Sequence, residues 1–291
     1  MINFSIGVDL GGTNIRAGIV NNNGKILDRY EVRINRNKSC QISEQICNLI
    51  EKFDLTNILG VGIAIPGVIR PSGNIWAPNL PDWDDFPLSK ILHQRLPSTS
   101  IFIESDRNTM LIGEKWLGVA KGYKNIVFLI IGTGIGAGLM VDGKIYSGSE
   151  GIAGSVGWLV TDKYYLPEYK KIGCFEYRAA GPSITRKTKL DPLLVLSQAE
   201  MDNSDALKVL GELGEEIGIG IADIVSTLNP EIIVVGGGLS NLWKFLETQV
   251  KVTLKKWSHP IAIKHLRIVP SSLGNNAGIL GAAKIVFERM E

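Results

Sequence analysis

The sequence predicts an α/β fold of two lobes that enclose a ligand-binding cleft, and three features predict it. Apolar segments typical of buried strands alternate with amphipathic segments typical of helices along the whole chain. A hairpin that opens on glycine and threonine occurs once in each half, at Gly12-Thr13 and at Gly132-Thr133. The length of 291 residues also exceeds that of one ordinary domain.

Strands dominate the start of the chain. FSIGVDL, AGIVNN and KILDRYEV predict successive strands, with turns at Gly11-Gly12 and at Asn23-Gly24. SEQICNLIEKF then predicts a helix and ILGVGIAIPG a buried strand that ends at Pro66-Gly67. IFIESD predicts a further short strand, and NTMLIGEKWLG a helix behind it.

The second half begins with strands again, in NIVFLIIGTGIGAGLMVDGKIY. The stretch ALKVLGELGEEIGIGIADIVSTLNP carries apolar residues at helical spacing and predicts a long helix that stops at Asn229-Pro230. EIIVVGGG predicts a strand that runs into a triple-glycine turn, and NNAGILGAAKIVFERM predicts a closing helix.

An internal repeat gives the predicted domain boundaries. GGTNIRAGIVNNNGKI (11–26) matches IGTGIGAGLMVDGKI (131–145) at an offset of 120 residues, which shortens to 119 after the second hairpin. Two similar halves favour a small lobe over 1–108 and a large lobe over 109–275, with a C-terminal helix over 276–291 that crosses back to the small lobe. The identical pairs are Gly12, Thr13, Ile15, Ala17 and Gly18 with Gly132, Thr133, Ile135, Ala137 and Gly138.

Composition excludes several classes of function. The 31 basic and 29 acidic residues nearly cancel, so there is no electrostatic case for nucleic acid or an anionic membrane as partner. No apolar run reaches the length of about 18 residues that a membrane helix needs, and MINFSIGVDLGG predicts a strand, not a signal peptide. Three cysteines and three histidines fit neither a disulfide framework nor a metal-ligand spacing. We expect a soluble, cytoplasmic protein.

The two Gly-Thr turns suggest an anion site. Glycine lets the backbone approach a ligand closely, and consecutive N–H groups form a concave site for phosphate. The threonine hydroxyl adds a donor, and Asp9, three residues before Gly12, could hold Mg²⁺ through water. The alternative is that both are plain hairpin turns, which the duplication together with Asp9 disfavours.

Six motifs carry a resemblance to a known family. VDLGGTNIRAGIV, IAIPG, ESDRN, IGTGIGAGL, VVGGGLS and LGNNAGILGAA occur in the order typical of ROK sugar kinases and repressors, so the chain resembles this family along almost its whole length. The resemblance implies an actin/hexokinase-like (ribonuclease H-like) fold with ATP and Mg²⁺ as cofactors. It also implies phosphate contacts at Gly11, Gly12, Thr13 and Asn14 and at Gly132, Thr133 and Gly134, with adenosine at Gly236, Gly237 and Gly238.

The same resemblance assigns the general base to Asp106, in the stretch Glu-Ser-Asp-Arg-Asn. A carboxylate in a closing cleft can take the proton of a sugar hydroxyl that attacks the γ-phosphate. The alternative is that Asp106 caps a helix that begins near Thr109, and the two roles are compatible. Ser105 replaces an asparagine that bonds sugar hydroxyls in the family, and Arg107, in place of a small residue, is expected to be a surface charge with substrate contact as the alternative. Asn108 is expected to support the sugar or its loop.

The stretch GIAGSVGW (151–158) departs from the family pattern. Relatives carry a sugar-binding glutamate where this chain has Ser155, and where it has Trp158 they carry a histidine that also ligates a structural zinc. Relatives carry three zinc-binding cysteines in the cluster that follows, and at that place this chain has only Cys174. One cysteine and no histidine cannot build a tetrahedral zinc site, so we expect no zinc and a Trp158 side chain that fills the volume of the lost site.

The remaining substrate contacts follow from the resemblance too. Glu176 matches a sugar-contacting carboxylate, with a solvated glutamate at a helix start as the alternative. Gly67 and Asn79 match positions near the sugar, although a turn role fits them nearly as well. Trp76 and Trp83 are expected to pack beneath their loop, with stacking on a sugar as the alternative.

Three functions compete at this point. The first is an ATP-dependent kinase of a hexose or related sugar, active as a homodimer with sugar and ATP as its small-molecule partners. The second is a catalytically weak sugar-binding or regulatory relative, which the changes at Ser155 and Trp158 suggest. The third is a ROK transcriptional repressor, which we do not expect because the first phosphate turn begins at Gly11 and leaves no room for a DNA-binding domain before it.

Overall fold

A computed structural model of the protein describes residues 2–35 and 39–290. Strands and helices alternate through these residues. The strands are β1 (Phe4–Leu10), β2 (Asn14–Asn21), β3 (Ile26–Arg33), β4 (Ile58–Ile65), β5 (Val68–Ile69), β6 (Ile75–Trp76), β7 (Ile101–Ser105), β8 (Ile126–Ile131), β9 (Ile135–Val141), β10 (Lys144–Ile145), β11 (Ile232–Gly236) and β12 (Arg267–Pro270). The helices are α1 (Ser39–Ile50), α2 (Leu88–Arg95), α3 (Asp106–Leu117), α4 (Tyr169–Ile172), α5 (Cys174–Ala179), α6 (Gly181–Thr188), α7 (Pro192–Glu200), α8 (Ser204–Leu228), α9 (Trp243–Trp257), α10 (Pro260–Ile263) and α11 (Ala277–Met290).

The chain divides into two compact units. The first comprises Met1–Gly122, Ile145–Ile152 and Ser272–Glu291, and the second comprises Tyr123–Lys144 and Ala153–Ser271. The first unit therefore includes α3, which the sequence analysis assigns to the second lobe from residue 109 onward. The reason is the packing of α3 on α11, where glycines let the two backbones approach closely: a Cβ on Gly281 would lie 1.6 Å from the Thr109 carbonyl oxygen.

The sheet of the first unit has the strand order β3-β2-β1-β4-β7. The hairpins β1–β2 and β2–β3 are antiparallel, whereas β1, β4 and β7 run parallel. Because parallel strands end at one edge of a sheet, the residues at the ends of β1 and β7 lie at the same edge.

The second large sheet repeats this arrangement, with the order β10-β9-β8-β11-β12. The hairpin β8–β9 is antiparallel, and β11 pairs in parallel with both β8 and β12. The first Gly-Thr turn therefore joins β1 to β2 and the second joins β8 to β9, so the sequence repeat corresponds to a repeat of topology.

Helices cover the sheets and bury their apolar residues. In the first unit, α11 packs on β1 and β4 so closely that only glycine fits: a Cβ on Gly7 would lie 2.0 Å from the Ile279 carbonyl oxygen, and one on Gly62 would lie 1.9 Å from that of Ala282. In the second unit, α8 buries a stripe of apolar side chains that runs from Leu210 to Val225 in the core. Among the described residues, no helix combines the length and apolar character that crossing a bilayer requires.

Candidate functional site

Two carboxylates lie at the edge of the first sheet where its parallel strands end. Asp9 is near the end of β1 and is only 2% exposed. Asp106 directly follows β7 and is the first residue of α3, half-buried. Asp9 is thus held by the buried strand β1, and Asp106 by the junction of β7 with α3.

Asp9 has an incompletely satisfied carboxylate. Burial raises its pKa to about 7, the negative charge of Asp106 adds to the effect, and the guanidinium of Arg16 opposes it. The Arg16 Nη1 lies 3.7 Å from Asp9 Oδ2, while Asp9 Oδ1 is buried without a hydrogen-bond partner in the described chain. A buried carboxylate oxygen of this kind fits a role beside a hydrated cation, so the site suits Mg²⁺.

Asp106 has properties that suit a general base. Burial raises its pKa to about 6, although the nearby charge of Arg107 and the hydrogen bond from its backbone N–H hold the pKa lower than burial alone would. The Arg107 N–H donates to Asp106 Oδ1 at 2.7 Å. The alternative role for Asp106, as the cap of a helix that begins near Thr109, is wrong, because the helix begins at Asp106 and its N-cap is Ser105. Thr109 instead donates its hydroxyl to the Asp106 carbonyl oxygen at 2.9 Å.

The neighbours of Asp106 are more buried than expected. Arg107 is half-buried, so the expectation of a surface charge is wrong: the helix start turns its side chain back, and Nε donates to the Ser105 hydroxyl at 3.4 Å. Burial lowers the pKa of Arg107, and the charge of Asp106 raises it. Asn108 is buried and donates to Glu104 Oε1 at 3.0 Å and to the Ser147 hydroxyl at 3.4 Å, which ties the helix start to a loop of the same unit.

The first Gly-Thr turn is short and open. Gly11 donates its N–H to the Asn14 carbonyl oxygen at 3.0 Å, and Gly12 and Thr13 are exposed. A Cβ on Gly12 would meet no atom of residues 2–35 and 39–290 within 4 Å. Packing among the described residues therefore does not require glycine here, unlike at Gly7.

The second Gly-Thr turn also leaves room for a side chain at its first glycine. Gly132 donates its N–H to the Gly134 carbonyl oxygen at 2.9 Å, and Thr133 is exposed. Within the part of the chain that the structure describes, a Cβ on Gly132 would meet only the Gly238 nitrogen, at an ordinary 3.6 Å, and one on Gly238 would meet nothing within 4 Å. By contrast, Gly237 has a φ of +83° and lies against the Ile131 carbonyl oxygen, so the fold itself requires that glycine.

A cavity of about 730 Å³ opens beside the second turn within the second unit. Of the predicted residues, Gly132, Thr133 and Gly238 line it, whereas Gly236 packs against the Phe128 ring. Sequence reasoning missed the rest of the lining, because α6 and α7 contain no motif that would mark it and, in VVGGGLS, the resemblance singled out only the glycines. These residues are Gly181, Pro182, Thr185, Arg186, Lys189, Pro192, Leu193, Leu196, Leu239, Asn241 and Leu242.

Glu176 is a half-buried residue in the first turn of α5, not a solvated one. Its Oε2 accepts the backbone N–H of Ile135 at 2.6 Å. Burial raises its pKa, and this hydrogen bond opposes the effect. Two glycines leave room for the carboxylate: a Cβ on Gly134 would lie 2.8 Å from Oε2, and one on Gly157 would lie 3.1 Å from it.

The glycines of GIAGSVGW therefore allow close backbone packing and leave room for the Glu176 carboxylate. Gly154 has a φ of +87°, and a Cβ there would lie 1.9 Å from the Ala137 carbonyl oxygen. Trp158 is 55% exposed, so the prediction that it fills the volume of the lost metal site is wrong. The fully buried side chain of this region is Phe175, and Gly173 approaches the Trp158 backbone closely. Ser155 is half-buried.

The residues present do not fit the zinc site of the family. Cys174 is buried with its Sγ 3.5 Å from the Thr161 hydroxyl, and the exposed indole of Trp158 offers no metal ligand. Arg178 holds this region instead by bridging Asp162, at 2.6 Å, to Glu216 of α8. Across residues 2–35 and 39–290, no group of three or more histidine, cysteine, aspartate or glutamate side chains could hold a metal ion.

The predicted positions near the substrate differ in exposure. Gly67 lies at a close backbone approach, where a Cβ would be 2.3 Å from the Trp76 carbonyl oxygen, and Asn79 is exposed. Trp83 is fully buried and stacks on Phe86 with ring centroids 4.5 Å apart, as predicted. Trp76 is 38% exposed, so the prediction that it packs beneath the loop is wrong.

Comparison with known proteins places the chain in a family. The model of the ROK family matches residues 5–289. A glucokinase from Thermotoga maritima is 31% identical over 98% of this chain and 98% of its own, and a xylose repressor from Bacillus spizizenii is 26% identical over 98% of this chain and 77% of its own. A ROK family glucokinase from Streptomyces griseus, solved with glucose and AMPPNP, superposes with a TM-score of 0.83 at 25% identity over 98% of this chain and all of its own. The predicted actin/hexokinase-like α/β fold is thereby confirmed, and the chain belongs to the ROK family.

Proposed function

We propose that the protein is an ATP-dependent kinase that phosphorylates a hydroxyl of a hexose or a related sugar. The observation that carries the proposal is Asp106, a half-buried carboxyl group at the end of β7 whose pKa is raised to about 6. A general base works best when its pKa lies near the operating pH, because it is then both ionised and basic enough to accept a proton.

In the proposed reaction, Asp106 takes the proton of the sugar hydroxyl as the hydroxyl oxygen bonds to the γ-phosphorus of ATP. The bond between that phosphorus and the oxygen it shares with the β-phosphate breaks, and ADP leaves. The adjacent Arg107 keeps the carboxylate ionised near neutral pH, because its positive charge opposes the effect of burial.

We assign the phosphates of ATP to the two Gly-Thr turns. Gly12 and Gly132 support this assignment because packing among the described residues leaves room for a Cβ at both positions, so the fold does not explain why they are glycines. Backbone N–H groups in such turns form concave sites for anions. The exposed hydroxyls of Thr13 and Thr133 would add donors.

We assign adenosine to the cavity beside Gly237 and Gly238. Its volume of about 730 Å³ lies in the range of small-molecule pockets, and its wall combines apolar side chains with a few polar ones. The AMPPNP complex of the Streptomyces griseus glucokinase supports ATP as the nucleotide. When bound, Mg²⁺ would neutralise phosphate charge, and Asp9 is the residue that would hold it, through water.

We assign the sugar to Asp106 and Glu176, with Ser105, Gly67, Asn79, Ser155 and Trp158 as further expected neighbours. The glucokinase relatives support a hexose as the substrate class. The individual sugar depends on hydroxyl contacts, which are altered here at Ser105, Ser155 and Trp158.

A second candidate is a sugar-binding regulator without significant kinase activity. The similarity to xylose repressors favours it, since these relatives cover 98% of this chain. One experiment separates the two: ADP release is measured in a coupled assay across hexoses, N-acetylhexosamines and pentoses, with Asp106→Asn as the matched control. A kinase releases ADP with at least one sugar, and the control does not. A regulator binds a sugar without releasing ADP.

A further inference from the structure

We propose that Glu176 is a positioning residue for the second phosphate turn, which it holds through the backbone of Ile135. The inference rests on the proposed function, because it deepens the role of the turn at Gly132–Gly134. Within the second unit, the Glu176 carboxylate of α5 thereby holds the backbone of Ile135, which lies 41 positions earlier in the chain.

The hydrogen bond sits where the turn ends. Ile135 is the first residue of β9, its side chain is buried, and its N–H donates to Glu176 Oε2 at 2.6 Å. A buried N–H that loses its acceptor costs more than an exposed one, because water cannot replace the bond. The contact therefore constrains the direction in which the chain leaves the turn.

A second contact from the same segment holds the start of the turn. Gly181, the first residue of α6, donates its N–H to the Gly132 carbonyl oxygen at 2.7 Å. The Ala180 N–H donates to the Glu176 carbonyl oxygen at 3.0 Å, which links the two holding points. Glu176 in the first turn of α5 and Gly181 at the start of α6 thus bond to the two ends of the turn.

The shape of the surroundings is built for this carboxylate. Both Gly134 and Gly157 lack the Cβ that would press on Oε2. In the described chain, the Ile135 N–H is the only hydrogen-bond donor to Glu176, and it reaches Oε2, so Oε1 is left for a substrate hydroxyl. One carboxylate can therefore join the sugar to the phosphate turn.

The hydrogen bond that Glu176 accepts from Ile135 can be tested separately from the negative charge of Glu176. A glutamine side chain keeps an oxygen that can accept the Ile135 N–H, whereas leucine has none. A negative charge near a phosphate turn does not itself attract ATP. Glu176→Gln should therefore preserve the turn and Glu176→Leu should loosen it.

The test compares wild type, Glu176→Gln, Glu176→Leu and the control Glu212→Leu, which removes an exposed carboxylate of α8 that pairs with Lys187 at 3.2 Å. Amide hydrogen exchange of residues 131–137 is measured without ligand, and the Kd of Mg·AMPPNP is measured by calorimetry without sugar. We expect Glu176→Leu to speed exchange of the Ile135 amide and to weaken AMPPNP binding, each by about 5-fold or more, as expected for loss of one buried hydrogen bond. The Gln variant and the control should stay within about twofold of wild type in both measurements.

Wild-type exchange and wild-type affinity in Glu176→Leu would overturn the inference. If that variant does not fold, Gly134→Ala takes its place, since the added Cβ would lie 2.8 Å from Glu176 Oε2 and its three nearest neighbours are all atoms of that carboxylate. Unchanged exchange of the Ile135 amide there would overturn the inference equally. Failure of the proposed function would give a different result, because the wild-type protein would release no ADP with any sugar. The comparison of hydrogen exchange at residues 131–137 would still show whether Glu176 holds the turn.

Discussion

Gly278 of α11 lies directly against the carboxylate of Asp9, close enough that a Cβ on this glycine would be 2.6 Å from Asp9 Cγ. Real Cβ contacts are essentially never this short, so the carboxylate keeps its position only because residue 278 has no side chain. A residue near the C-terminus thus shapes the site that β1 provides near the N-terminus.

Gly278→Ala should therefore displace the Asp9 carboxylate and lower kcat by about 10-fold or more, through the loss of a positioned group rather than through loss of binding surface. The measurement is steady-state kinetics of ADP release with Mg²⁺ varied. A shift in the Mg²⁺ concentration for half-maximal rate is expected along with the lower kcat.

Gly211→Ala provides a matched control for this change. Gly211 is also a helical glycine, but a Cβ there would meet nothing within 4 Å. The control should keep its activity and gain up to about 1 kcal/mol of stability, because alanine favours a helix. Equal activity in both alanine variants would show that the Gly278 contact does not matter for the site.

Asp106→Asn should lower kcat by about 10²-fold or more, because an amide cannot accept the substrate proton. The fold should persist, since an asparagine Oδ1 can still accept the Arg107 N–H. Rates are measured at pH 8, where the wild-type carboxylate is ionised, and thermal melts check the fold.

The wild-type pH profile is a second check on Asp106. With a pKa of about 6, the base becomes protonated as pH falls, so kcat/KM should drop below roughly pH 6 and level off above pH 7. A variant that retains more than half of the activity, or a flat profile from pH 5 to 8, would contradict the assigned role.

Asp9→Asn should make the protein without ligand more stable at pH 8. The native pKa of Asp9, about 7, lies above the ordinary aspartate value of 3.8, so folding takes up a proton at pH values between these two. The contribution of Asp9 to the free energy of unfolding is therefore fully present below about pH 4 and is lost as pH rises through about 7. The difference corresponds to at most about 4 kcal/mol for this buried group.

The measurement is urea unfolding of wild type and Asp9→Asn at pH 5, 6, 7 and 8. The stability gap in favour of the variant should widen with pH and reach its plateau near pH 8. Ser5→Ala is a useful comparison, since it removes a buried polar group of the same strand without an ionisable proton. A gap that stays constant over this range would mean that Asp9 has an ordinary pKa.

Sequence reasoning found the topology because the repeat at Gly12-Thr13 and Gly132-Thr133 marks both hairpins, and because each strand has an apolar pattern. It pointed to Asp9 because this residue lies near the end of a recognisable strand, and to Asp106 through the resemblance of the stretch Glu-Ser-Asp-Arg-Asn. It did not find the Ile135 contact of Glu176, because a hydrogen bond between positions 41 apart leaves no local pattern. It misjudged Trp158, since which aromatic side chain of this region enters the core depends on long-range packing: Phe175 is fully buried there and Trp158 is exposed.

Gly132→Val should weaken AMPPNP binding by about 10-fold or more while the protein stays folded, because a side chain there would project into the space in front of the turn. The nearest atom to a Cβ at this position is 3.6 Å away, so the first carbon of the new side chain causes no clash within the chain. The Kd of AMPPNP and the melting temperature are measured together.

Gly154→Val gives the opposite pattern and serves as the comparison. Its Cβ would lie 1.9 Å from the Ala137 carbonyl oxygen at a φ of +87°, so stability should fall first. If Gly132→Val binds AMPPNP as wild type does, the phosphates do not lie at this turn.

Glucose should be a poor substrate of the wild-type protein, and the double variant Ser155→Glu, Trp158→His should improve it. The resemblance places a sugar-binding carboxylate at position 155 and a sugar-binding histidine at position 158, and this chain has neither. A hydrogen bond to a charged group contributes about 1.5–3 kcal/mol, so the loss of the carboxylate alone predicts roughly a 10- to 100-fold loss in kcat/KM for glucose. The exposed Trp158 ring can be replaced without opening the core, because Phe175 and not Trp158 fills it.

Kinetics on glucose and a panel of other hexoses check both halves of this prediction, with Trp158→Phe as the control for loss of the indole alone. A wild-type glucose KM in the low micromolar range would contradict the first half, and a double variant with unchanged kcat/KM would contradict the second.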